Sequence, residues 1–326
     1  MIVADGKLRS ASQTRCILCE QDSWRPYVFG VVDYLTEETF GIVRCGSCGL
    51  MMTRPFPGDA EIEKYYPPRY RGNRHSFTER MRTTLRRRAL ESCFPKNFRG
   101  RLLDVGCGDG SFVLEMRRRG WEVGATEIDA ATVRKLQANG IEAKTPEEAE
   151  RQGFDRPFDA VTCWHVMEHV ERPMQTAQWV KLQLKPEGIF QVTVPNAECQ
   201  QARLFGRRWF HLDVPRHRYH FTPYTLQTLL ARAAFRPIGS TCFALEYDWF
   251  GAIQSSLNCV CSKSNGLFER LTSAAGEDIA PNRAHSPDMA VSYALAAPLA
   301  AISLLPLLIA WAAKDGATLT LTCKSQ

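Results

Sequence analysis

Four thiols stand in two pairs near the amino terminus, Cys16–Ile17–Leu18–Cys19 and Cys45–Gly46–Ser47–Cys48. Each pair can grip one side of a metal ion, and the 25 residues between them suffice for a hairpin that brings the pairs together. Four thiolates make a tetrahedral zinc site with no position left for substrate, so the spacing predicts structural zinc on Cys16, Cys19, Cys45 and Cys48. A redox pair or unrelated cysteines are the competing readings. Glu20, where a glycine is common, makes the first knuckle less regular than the second.

A second cluster is Asp104–Val105–Gly106–Cys107–Gly108–Asp109–Gly110. Small residues are needed where a backbone must turn sharply and approach a ligand, and a side chain at Gly106 or Gly108 is expected to push against that ligand. Amides at the start of the following helix can face its polar portion. The spacing is GxGxG, which differs from the dinucleotide pattern GxGxxG, and alone it is equally the mark of a tight turn. Glu127 follows Gly106 by 21 residues, at the end of the next expected strand. A carboxylate there can accept hydrogen bonds from both hydroxyls of a ribose.

Histidines form two further groups. His165 and His169 bracket Glu168, and their four-residue spacing predicts one helical face. The order His–Val–Met–Glu–His is not the His–Glu–x–x–His of zinc hydrolases, so no metal is expected there. The second group, Pro215–Arg216–His217–Arg218–Tyr219–His220–Phe221, follows Trp209 and His211. Such a run can supply a substrate wall and a base, since an imidazole exchanges protons near neutrality.

These residues need elements to hold them. Apolar runs predict strands at Arg101–Val105, Trp121–Thr126, Ala160–Cys163 and Ile189–Val194, the last after a turn at Leu184–Gly188. Helices are expected over Ser111–Arg119, with Phe112, Val113 and Met116 on one side, and over Ala130–Asn139, closed by Gly140. Thr222 reads as a helix cap with Pro223 at the first helical position, and Leu226, Leu229, Leu230 and Ala233 form one face. Alternation of this kind predicts a doubly wound α/β sheet over residues 99–246, preceded by a zinc ribbon over 13–50 and a linker with a basic helix over 51–98. Residues 247–316 are expected to make a cap or an apolar helical insertion, and 317–326 the last sheet strand and the carboxyl terminus.

Taken in order, Leu103–Phe112, Glu127, Phe158–Val170 and the turn Leu184–Gly188 resemble successive motifs of class I S-adenosylmethionine-dependent methyltransferases. The resemblance implies a Rossmann-like sheet whose loop residues Asp104, Gly106, Cys107, Gly108 and Gly110 meet the methionine portion. It gives the ribose to Glu127, with Ile128 beside it, and the methyl-donor side to Cys163, Trp164, His165 and Val166. The acidic residue that many relatives carry after the third strand is not evident in Ala143–Lys144–Thr145–Pro146–Glu147, so adenine contacts there, Thr145 included, are not assigned. The cysteine pairs, Met51–Met52–Thr53–Arg54–Pro55 and the stretch from Val194 to Pro223 are similar to a zinc-ribbon subgroup encoded with bacterial genes for surface glycans, lipids or secondary metabolites. That similarity implies an active-site cap around His217 and His220. The sulfonium already makes its methyl electrophilic, so the remaining tasks are alignment and, for a hydroxyl acceptor, removal of a proton by His217, His220 or His165.

The 326 residues carry 41 Lys and Arg against 35 Asp and Glu, a formal charge of +6. Much of that sits in Arg71–Leu90, where seven arginines accompany Glu79 on an expected helix, Phe77–Leu90, with Met81, Leu85 and Leu90 on its apolar side. The stretch is a solvated face or a surface for anions and anionic lipid. Met1–Ser12 is short and polar, and the twelve cysteines show no secreted framework, so the catalytic body is expected in the cytoplasm. Ala290–Ala313 holds 24 residues without charge, a length of ~36 Å if helical, but Pro298 and Pro306 interrupt it. Because the strand Thr318–Cys323 must rejoin the sheet, the segment is expected to lie in a membrane surface, to be buried as a hairpin or in a subunit contact, or, with an unseen partner, to cross. The favoured function is methylation of oxygen, in preference to carbon, on a glycan, lipid-linked sugar or small metabolite. Nucleic acid is the alternative substrate, although no RNA-recognition motif accompanies the basic helix; a non-enzymatic ribbon module is the third reading.

Overall fold

The computed structural model describes residues 15–66, 77–272 and 287–326. The polar stretch Met1–Ser12 and the first part of the basic stretch, residues 71–76, lie outside them. The chain divides into two compact units, each discontinuous in sequence.

The first unit takes residues 1–73, 195–226 and 241–319. Its sheet begins with β1 (Trp24–Val32), β2 (Thr39–Cys45) and β3 (Met51–Arg54), paired antiparallel in that order. A two-residue strand, Tyr219–His220 (β9), completes the far edge against Met51 and Met52. The ribbon therefore does not stand apart as residues 13–50. Phe40, Ile42 and Met51 share a core with Trp209, Leu212, Val214 and Ala317. The same unit holds a 16-residue helix, Leu245–Val260, and the helix pair Pro287–Ile302 and Leu304–Ala312, bent by 44° at the break.

The second unit, residues 74–194, 227–240 and 320–326, carries the larger sheet. Its parallel strands are β4 (Arg101–Val105), β5 (Glu122–Thr126), β6 (Glu142–Lys144), β7 (Phe158–Trp164) and β8 (Leu184–Pro195). With β10 (Phe235–Thr241) and β11 (Thr318–Ser325) the order is β10-β11-β8-β7-β4-β5-β6. Gln191 meets Thr322 and Thr193 meets Thr320, the falling register of an antiparallel pair, so the expected return of the chain as a sheet strand is present. Reading out from β4, the chain winds first toward β6 and then reverses toward β8. A crevice opens at such a reversal beyond the strand ends.

Local chemistry explains the elements. Phe112, Val113 and Met116 bury one side of the helix Ser111–Arg118, each burial contributing about 1.5–3 kcal/mol. Asp129 caps Ala130–Ala138 by accepting from the amides of Ala131 and Thr132. Thr222 and Thr225 exchange hydrogen bonds at the start of Pro223–Arg232, whose Leu226, Leu229 and Leu230 are fully buried. The turn expected at Leu184–Gly188 is drawn into β8, where pairing slips from Phe158 with Leu184 to Ala160 with Ile189, and Glu187 takes φ 60°. The basic helix runs Phe77–Glu91, with Thr83 and Leu90 buried; Leu85, expected on the apolar side, is exposed.

Candidate functional site

The glycine loop leaves the end of β4 with Gly106, Gly108 and Gly110 all at positive φ (69°, 60° and 81°), a conformation L side chains resist. The obstacles differ from those expected. A Cβ on Gly106 would lie 2.4 Å from Val166 Cγ2, and one on Gly110 2.6 Å from Leu136 Cδ2. These two glycines are required by protein packing. Only at Gly108 would a Cβ enter open space, the space a ligand on this loop would fill.

Glu127, at the end of β5, lies beside that space. Its Oε2 accepts from the Gly108 amide at 2.8 Å, and its Oε1 from the amides of Ile128 and Asp129 at 2.9 and 3.2 Å. Burial raises its pKa against the pull of those three amides. The same carboxylate thus fixes the loop and keeps lone pairs able to accept from hydroxyl groups. Ile128 is 63% exposed, an apolar wall next to it. Cys107 gives its amide to the Thr126 carbonyl, and burial with nearby carboxylates pushes its thiol well above the ordinary range, so it stays protonated. Thr145 is occupied as a helix cap, in a reciprocal box with Glu148.

On the other side of β4, Asp104 accepts from Thr162 Oγ1 at 2.6 Å. Burial raises its pKa to about 7, while Thr162 and the charge of Arg86 draw it down. Cys163 is wholly buried. Trp164 packs edge-on against Phe112, and its buried Nε1–H has no acceptor among the described residues, a donor that suits a bound polar group. His165 sits at φ 55° just past the strand, its Nδ1 3.3 Å from the buried carboxylate of Glu168. The helix expected to align His165 and His169 does not form: the left-handed His165 breaks it, and a turn from Val166 to His169 follows. Arg86, on the inner side of the basic helix, stacks over the Trp164 ring at 5.0 Å. The sequence reading missed it. It places a cation beside Trp164, suited to an anionic group.

The histidines of the first unit separate clearly in role. His217 gives Nδ1–H to the His211 carbonyl at 2.9 Å, which in the neutral ring puts the lone pair on Nε2; that nitrogen lies 3.9 Å from Asp213 Oδ2. Thr53 spends its hydroxyl proton on the His217 carbonyl, so it must accept from His220 Nε2, 2.9 Å away. Burial lowers the His220 pKa to about 3. His220 therefore holds β9 to β3 as a neutral ring, while His217 has the better geometry for a base. Arg216, expected in a substrate wall, is fully buried and bonded to Asp33, Asp213 and the Tyr65 carbonyl, with the Tyr34 ring at 4.8 Å.

Cys16, Cys19, Cys45 and Cys48 bring their sulfurs within 4.8 Å of one another, with Cys16–Cys48 and Cys19–Cys45 at 3.5 Å. A tetrahedron with Zn–S bonds of 2.3 Å has edges of about 3.8 Å, so the donor set fits the ion. Burial pushes Cys16 up to about 11, whereas Cys45 falls to about 6 because hydrogen bonds from Ser23 and the Cys48 and Ser47 amides outweigh its burial.

Residues 74–238 match the family described as "Methyltransferase domain". Among curated proteins the chain is 29% identical over 143 residues to the ubiquinone biosynthesis O-methyltransferase of Paracidovorax citrulli, covering 41% of this chain and 60% of that one. It is 30% identical over 144 residues to the protein of the same name from Alkalilimnicola ehrlichii, covering 41% and 58%. The chain thus spans about 60% of the length of these relatives. Among solved structures, a SAM dependent methyltransferase from Archaeoglobus fulgidus aligns with 19% identity and a TM-score of 0.46, over 76% of this chain and 94% of that one. The family match takes in just over half of the chain, including the whole glycine loop and Glu127, and on it this chain belongs to the class I S-adenosylmethionine-dependent methyltransferases.

Proposed function

We propose that the enzyme methylates a hydroxyl oxygen on a glycan, a lipid-linked sugar or another small metabolite, with His217 as the proton acceptor. The observation that carries the base is the His211 carbonyl, which holds Nδ1–H, so that in the neutral ring Nε2 is the nitrogen able to take a proton. The O-methyltransferase names of the relatives support oxygen as the acceptor atom. The bound cofactor supplies an electrophilic methyl group. Glu127 holds its ribose, the glycine loop accommodates its methionine portion, and Arg86 offers a cation to its carboxylate. His217 would take the hydroxyl proton while the acceptor oxygen bonds the methyl carbon and the methyl–sulfur bond breaks, leaving the demethylated cofactor.

Two further parts belong to this reading. Cys16, Cys19, Cys45 and Cys48 hold one structural zinc, which orders the ribbon and takes no part in the chemistry. The enzyme works in the cytoplasm, at the inner face of a membrane. Cell extract incubated with methyl-labelled cofactor tests the reaction. Wild type should label a hydroxyl-bearing small molecule or lipid, and His217→Gln should cut turnover by 10²-fold or more with cofactor affinity retained. Label on nucleic acid, or undiminished turnover in His217→Gln, would overturn the proposal.

A further inference from the structure

We infer that the helix pair Pro287–Ile302 and Leu304–Ala312 docks into one leaflet of a lipid bilayer and returns to the side from which it entered. This gives the localisation proposed above its device and rests on that reading.

From Met289 to Ala313 the chain carries no charge. Large apolar side chains nevertheless stand in the open: Ile302 is 70% exposed, Leu305 66%, Leu308 and Trp311 60%, and Ile309 53%. In the second helix only Leu307 and Ala310 are buried. At 100° per residue the exposed set, from Leu304 to Trp311, sweeps roughly 160° of the circumference. A single partner helix covers a stripe of about 100°. An apolar surface this broad, with no polar rim on the segment itself, matches a fluid hydrocarbon better than one face of a second copy.

The ends decide the topology. Asp288, in the first turn, accepts from the amides of Ser262 and Lys263 at 3.2 and 3.0 Å and from the Ser262 hydroxyl at 2.6 Å. Asp315, just past the second helix, pairs with Arg203. Both anchors belong to the first unit, so both ends are tied to the same body. The lengths agree. Sixteen and nine residues make helices of ~24 and ~14 Å, each short of a ~30 Å hydrocarbon core, and no single described helix is long and apolar enough to cross.

The bend is built in. Pro306 has no N–H for the Ile302 carbonyl, and Trp249 Nε1–H bonds both the Ala300 carbonyl and Ser303 Oγ, at 3.1 and 3.0 Å. Tyr293 and Trp311 flank the exposed run and Lys314 follows it, side chains that favour the headgroup level.

The test uses full-length protein and extruded vesicles of phosphatidylcholine, alone or with phosphatidylglycerol, at low and high salt. An uncharged insert predicts binding to both compositions that survives high salt. Leu305→Glu with Leu308→Glu should reduce the bound fraction at least tenfold while titration with S-adenosylhomocysteine shows unchanged affinity. If that pair misfolds, seen as lost titration heat, Leu308→Gln should still weaken binding several-fold. Acyl-brominated lipid should quench a tryptophan emission component that is missing in Trp311→Phe. Binding confined to anionic vesicles and released by salt would overturn the inference. So would wild type that ignores vesicles and forms a dimer split by the paired substitution. Cofactor affinity is read separately, so loss of membrane binding leaves the methyltransferase reading standing.

Discussion

Glu127→Gln separates a ribose ligand from a loop brace. The wild-type carboxylate receives three backbone amides, at 2.8, 2.9 and 3.2 Å. Glutamine keeps one acceptor oxygen and turns an NH₂ toward amides that are themselves donors. Hydrogen bonds to a charged acceptor contribute about 1.5–3 kcal/mol each, so losing one ribose bond and leaving the other on a neutral acceptor costs about 3 kcal/mol, roughly 150-fold in Kd. Isothermal titration with S-adenosylhomocysteine measures that loss. Its 2′-deoxy analogue assigns the cause: wild type should bind the analogue about tenfold more weakly than the parent ligand, from one lost bond of ~1.4 kcal/mol, while Glu127→Gln should distinguish the two by less than threefold. Equal penalties for the deoxy ligand in both proteins would show that Glu127 acts only through the loop amides, and the ribose assignment would fall.

Metal analysis should find about one zinc per chain, the number four thiolate ligands imply, and almost none after Cys45→Ala with Cys48→Ala; full occupancy in that variant would refute the site. Asp248 accepts from the amides of Ala244 and Ala317, and burial raises its pKa to about 7. Its folded pKa lies above the unfolded value near 4, so its contribution is complete below about pH 4 and fades as pH rises toward 7. Over that window wild type should lose up to ~4 kcal/mol relative to Asp248→Asn in denaturant titrations, and parallel pH profiles would count against the assignment.

The parts legible in the sequence are those whose chemistry is local. Two CxxC pairs announce a four-thiol cluster because each pair is one turn. Gly106–Gly110 and Glu127 announce that they meet because a strand, a turn and the next strand end fix their relation in 21 residues. The Thr222–Pro223 cap needs only neighbours. What escaped depends on distant contacts. Arg86 looks like one arginine among seven until the helix is turned to face Trp164. His217 and His220 are interchangeable in sequence; the His211 carbonyl fixes the ring of the first, and Thr53, from another part of the chain, fixes that of the second. Gly106 was expected to clear a ligand, yet the neighbour it clears is Val166, 60 residues on. His165 and His169 have helical spacing, but no spacing rule reports a backbone at φ 55°.

The pairing of β3 with β9 also sets a timetable for synthesis. Thr53 and His220 are 167 positions apart. At 5–20 residues per second the ribosome needs roughly ten to thirty seconds to deliver the second after the first. Throughout that interval β3 is an open edge bearing two methionines, Met51 and Met52, which end up almost wholly buried. An unpaired edge of that kind invites pairing with another chain. The last strand of the larger sheet, β11, arrives later still and enters between β8 and β10. Conditions that slow translation between residues 54 and 219 should therefore raise the aggregated fraction without altering any contact of the finished fold.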